Sequence, residues 1–125
     1  MEKTAPFWSH TVKALLLGSA VAVGGAFVLL LLCAALLALG MPDGFIPFFA
    51  HASVLIASLG GGLCVGFKRG EGGLLGGALL GLCVVLLHLA ATLLFGEFSL
   101  SCLTFGALEL MGAALGGIFG VNLRR

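Results

Sequence analysis

The chain reads as an all-α polytopic membrane protein, with four transmembrane helices packed as two antiparallel hairpins that meet through glycine-rich interfaces. Three observations carry that expectation. A mean hydropathy of +1.27, with 61% hydrophobic and 9% charged residues, leaves too little polar surface to cover a water-soluble globule. Short polar breaks cut the sequence into four apolar lengths, each reaching the roughly 20 residues that a spanning helix needs. The 21 glycines would cost a soluble helix about 1 kcal/mol each, but here they recur at helical spacing, where lipid lets backbones approach closely.

The elements follow in order within a single domain, residues 1–125. Pro6, Phe7 and Trp8 stand just before the first apolar run, the place of an interfacial aromatic anchor. Helix 1 is expected over 11–39. Its apolar core is about twice the length of a secretory signal core, so it reads as a retained span. Gly40-Met41-Pro42-Asp43-Gly44 reads as a tight turn, with Pro42 stopping one helix and Asp43-Gly44 reversing the chain. Helix 2 is expected over 45–67, then a turn carrying Lys68, Arg69 and Glu71, helix 3 over 72–95, a turn at Gly96 to Ser99, and helix 4 over 100–122.

All six basic residues fall on one side of this scheme: Lys3 and Lys13, Lys68 and Arg69, Arg124 and Arg125. The opposite turns carry only Asp43 and Glu97. The positive-inside rule therefore puts both termini and the Lys68-Arg69 turn in the cytoplasm of a bacterial cell membrane. Cys64 then lies near the inner surface and Cys102 near the outer one. Six basic and five acidic residues nearly cancel, which leaves no basic field for nucleic acid; membrane lipid is the expected surrounding.

Small residues line one stripe of each helix in a glycine-zipper pattern. Helix 2 has Ser58, Gly62 and Gly66; helix 3 has Gly73, Gly77 and Gly81; helix 4 has Gly112, Gly116 and Gly120; helix 1 has the weaker Gly18, Ala22 and Ala26. All lie toward the basic end, which should be the tightly packed one. Parallel stripes at Gly72 and Gly76, and at Ala113 and Gly117, suggest a second small face for a homo-oligomer or a larger membrane-protein partner. Residues 59–69 also resemble 115–125, and 17–20 resemble 75–78. A duplication of this kind would relate the two hairpins by an axis along the membrane normal. The alternative is that glycine-rich segments ending in basic residues look alike.

The run Gly60-Gly61-Gly62 leading to a Lys/Arg turn, the ladder Gly73-Gly77-Gly81, and the closing Gly116-Gly117-Ile118-Phe119-Gly120-Val121-Asn122 together resemble the YrzE-like small membrane proteins of Gram-positive bacteria. Members often carry an aromatic residue soon after the basic turn, where this chain has Gly73-Leu74. The resemblance implies four helices and this topology. It brings no catalytic residues.

Two ionisable residues sit deep in apolar helices, His88 and Glu109, and an ionisable group inside a membrane is a functional candidate by default. His88 shares the stripe of Gly77 and Gly81, and Glu109 that of Gly112 and Gly116. His88 lies seven residues before Phe95 and Glu109 seven after Cys102, roughly 10 Å deep at 1.5 Å per residue. They are expected to meet, with Thr92 and Thr104 as further hydrogen-bond partners, as either an ion pair or a neutral hydrogen bond.

His51 reads as an interfacial histidine. The four cysteines form no C-x-x-C pair and read as small packing residues. No His/Cys pair has metal-ligand spacing on one helix, so neither metal nor cofactor is expected. H-E-x-x-H, G-x-S-x-G and the P-loop pattern are absent, which argues against an enzyme. Two readings remain: a non-enzymatic packing or accessory subunit, or a small oligomeric transporter or channel using Glu109 and His88. The scarcity of intramembrane polar residues favours the first.

Overall fold

The computed structural model describes residues 4–96 and 99–125, with side chains from Ser9 onward. It is all-helical, with no strand among the described residues. The elements are α1 (Thr4–Ala38), α2 (Ile46–Arg69), α3 (Gly73–Phe95) and α4 (Leu100–Arg124), each containing a stretch long and apolar enough to cross a membrane. The expected anchor at Phe7 and Trp8 and the acidic residue Glu97 fall outside the residues and side chains described.

α1 begins seven residues earlier than the sequence suggests. Pro6 stops nothing here, because in the first turn of a helix its missing N–H would have had no partner anyway. At 35 residues α1 is roughly 52 Å long against a hydrocarbon core of about 30 Å, so in a bilayer it must tilt or project.

The turn after α1 works differently from the expectation. Gly40, at φ +98°, supplies the left-handed residue; its N–H donates to the Leu37 carbonyl at 3.0 Å and that of Met41 to Leu36 at 3.3 Å, the paired bonds of a Schellman motif. Asp43 and Gly44 do not reverse the chain but form a single 3-10 turn, Asp43–Phe45, that leads straight into α2.

At the basic turn Gly70 and Gly72 are both left-handed, at φ +74° and +60°, so Glu71 is carried between two positions that suit glycine. α2 runs to Arg69, two residues past its expected end. Arg124 of α4 explains the extension: its Nη1 donates to the carbonyls of Lys68 at 2.8 Å and Phe67 at 3.2 Å, pairing oxygens that the last turn of a helix leaves open.

α2 is the hub of the bundle. It packs most extensively on α4, then on α1; α3 packs on α4, and the contact between α1 and α3 is slight. α2 and α4 run parallel, since a Cβ at Gly62 would overlap the Ala113 carbonyl oxygen and one at Gly66 that of Gly117. α3 and α4 run antiparallel, with Gly73 against Gly117 and Gly77 against Ala113. Gly112, Gly116 and Gly120 lie against Ser58, Leu59 and Leu63 of α2. Val65 and Leu80, both at 0% exposure, are the largest apolar side chains sealed between the helices.

The second small stripes are used within the chain. Gly76 packs on Val65 and Arg69 of α2, and Gly117 on Gly73 of α3, so these positions offer no second face. The internal likeness is not repeated in the packing either. Gly116 is buried against α2 whereas its counterpart Gly60 meets open space, and Gly18 and its counterpart Gly76 both face α2, which an axis relating the hairpins would not allow.

The helix approach loosens from one end of the bundle to the other. Along α3 and α4, a Cβ at Gly73 would overlap Gly117, one at Gly81 would lie 2.9 Å from the Leu110 Cα, and one at Gly106 an ordinary 3.5 Å from Val85. Along α1 and α2, Gly18 sits 3.0 Å from the Gly61 carbonyl by the same measure, Gly25 3.6 Å from the Ala57 Cβ, and Gly24 meets nothing.

Candidate functional site

The loosened half holds the site. His88 projects from the middle of α3 and Glu109 from α4, and His88 Nδ1 lies 3.0 Å from Glu109 Oε1. The spacing arguments of angle and depth thus bring these two side chains together. Glu109 is 5% exposed, the one charged residue so buried among those described. Its second oxygen, Oε2, is buried without a hydrogen-bond partner. A buried polar atom left unpaired costs about 1–3 kcal/mol, and more when charged, so it calls for an explanation.

The two threonines do not complete the pair. Thr92 turns its hydroxyl onto its own helix, donating to the carbonyls of Leu89 at 2.8 Å and His88 at 3.2 Å. Thr104 is exposed on the surface of α4. For Thr92 helical geometry decides: a threonine hydroxyl reaches its own preceding turn more readily than a neighbouring helix.

Phe105 is the residue that sequence reasoning missed. One turn before Glu109, its ring lies 5.9 Å from that of His88 and stacks on His51 at 4.2 Å with the planes 8° apart. Its position four residues from Glu109 was a legible signal. His51 also bonds through Nδ1 to the Pro47 carbonyl one turn back in α2. On the α1 side, Cys33 Sγ lies 3.6 Å from Ser53 Oγ. No group of three or more His, Cys, Asp or Glu able to hold a metal gathers among the described residues.

Glu109 and His88 line a cleft of about 660 Å³. α1, α2 and α3 form its walls, from Ala22 and Ala57 at the deep end to Phe95 at the last turn of α3, and Glu109 reaches it from α4. The lining is otherwise apolar except for Ser58 and Thr92. Ser58 donates to the Leu55 carbonyl at 3.0 Å, so both hydroxyls are spent on their own helices. On its other side His88 borders a smaller groove of about 300 Å³ between α3 and α4, which Cys102 and Gly106 also line. The arrangement is an apolar cleft with one carboxylate and an imidazole between two spaces.

Comparison with protein-family models, with curated proteins and with solved structures finds no match for the chain.

Proposed function

We propose that this chain is a small non-enzymatic protein of the bacterial cytoplasmic membrane that moves a proton or another cation through an intramembrane site at Glu109. The observation that carries the reading is the carboxylate itself: one oxygen on His88, the other unpartnered, beside a cleft that a ligand could fill. A charge at such depth costs roughly 2.5–3.5 kcal/mol on insertion scales.

In this reading the helices pair as two antiparallel hairpins held by glycine-rich interfaces, with both termini and the Lys68-Arg69 turn cytoplasmic. The cleft then faces the outer half of the bilayer. An impermeant thiol reagent outside intact cells should reach Cys102 before Cys64; the reverse order would invert the topology. Function is tested in proteoliposomes by imposing a pH gradient and following proton flux. Flux should fall to the level of empty liposomes in a folded Glu109→Gln variant, and an unchanged flux would overturn the reading.

A second reading, as an accessory or oligomeric subunit, is favoured by Gly24 and Gly60, which meet open space on the outer faces of α1 and α2. A second copy or a larger membrane protein could approach there. A monodisperse monomer in both detergent and lipid would remove it. The likeness to YrzE-like proteins fits either reading and assigns no residue a role.

A further inference from the structure

We propose that the cleft takes a lipophilic monovalent cation, a compact apolar or aromatic body carrying one positive charge, with Glu109 as its counter-charge. This deepens the reading of the Glu109 site given above and rests on it. Three features select that chemistry. The volume of about 660 Å³ falls within the roughly 300–1,000 Å³ of sites that enclose small organic ligands, well beyond what a bare ion needs. The walls are apolar, with phenyl rings of Phe27 and Phe95 at the rim, 64% and 83% exposed, where an aromatic face can meet a cation.

The third feature is the sign of the polar groups. Ser58 and Thr92 have turned their hydroxyls away onto backbone carbonyls, and His88 Nδ1 is engaged with Glu109 Oε1, so neither hydroxyl is presented to an anion. Its one charged group is the Glu109 carboxylate, which reaches the cleft from α4 with Oε2 buried and unpartnered. A hydrated inorganic cation would have to shed its water against apolar walls, at a cost one carboxylate does not offset. A lipophilic cation already partitions into lipid and loses little on moving into the cleft. The opening that suits entry lies between α1 and α3, which pack on one another only lightly.

The probe is radiolabelled tetraphenylphosphonium, measured by equilibrium binding to the full chain in lipid nanodiscs, with tetraphenylborate as the anion of matched shape. Saturable binding of the cation and none of the anion is expected. Glu109→Gln should weaken binding at least tenfold, whereas Glu109→Asp keeps the charge and should hold it within a few-fold. Ala26→Trp, which fills the cleft without altering the carboxylate, should also abolish binding, and circular dichroism shows that each variant is folded. Binding of tetraphenylborate as tight as of the cation, or cation binding that survives Glu109→Gln, would overturn the proposal. So would an absence of saturable binding, as when a lipid tail occupies the cleft. Glu109-dependent proton flux without tetraphenylphosphonium binding would sink this inference and spare the transport reading; binding without such flux would do the opposite.

Discussion

The two ends of this bundle are built on the same four helices and differ in how close those helices come. At the basic end backbone lies close on backbone, as at Gly62 with Ala113 and Gly73 with Gly117. Toward the other end the stripes give way to Val84, Leu87, His88 and Phe105, and the approach relaxes to side-chain contact. A closed end and an open cleft therefore follow from where the glycines stop. Glu109 lies one turn beyond Gly112, the last glycine of its stripe in that direction, and so occupies the first level at which there is room for a carboxylate.

The contrast predicts a graded response to substitution. The largest effect belongs to Gly62→Leu and Gly116→Leu, whose new side chains would meet backbone atoms that cannot rotate aside. Overpacking typically costs about 1–3 kcal/mol, and a rigid neighbour puts these at or above the top of that range. Loss of monodisperse protein on size-exclusion chromatography is the expected readout, and normal recovery would show that the helices can part there without penalty.

Next comes Leu80→Ala. It empties a fully buried position in the closed half and should cost about 2–5 kcal/mol, read as a fall in the midpoint of thermal unfolding. Leu86→Ala on the exposed side of the same helix, 56% exposed, should stay within about 0.5 kcal/mol. Equal losses at the two leucines would deny that burial distinguishes these faces.

A smaller loss of about 0.5–1 kcal/mol is expected for Arg124→Ala, because the bonds it removes are charge-assisted but lie at an exposed site. Faster amide exchange confined to the last turn of α2 would show it. The smallest effect is at Gly106→Ala in the open half, where the new methyl meets Val85 at an ordinary 3.5 Å. Removing a helical glycine there should be neutral or stabilising by up to about 1 kcal/mol.

The four helices were legible because hydropathy and charge act over whole segments. The His88–Glu109 contact was legible because helical angle and depth need only residue counts. Other details depended on competition between local partners, which counts do not describe. Thr92 had two acceptors within its own helix and took them. Gly40 rather than Asp43-Gly44 reversed the chain because a glycine in the left-handed region closes two backbone bonds at once. The cleft is a consequence of side-chain volume on three helices together, which no single stripe announces.

The bond from Arg124 to α2 has a consequence for assembly. The arginine lies 57 residues after the Phe67 carbonyl that it caps, so at about 5–20 residues per second a ribosome needs some 3–11 s to supply it. Through that interval the last turn of α2 has open carbonyls and no parallel partner beside it. The arrival of α4 meets both needs in one event, packing against α2 and delivering the guanidinium to the turn where α2 ends. The last turn of α2 is thus made early and finished late, and α4 is the latch.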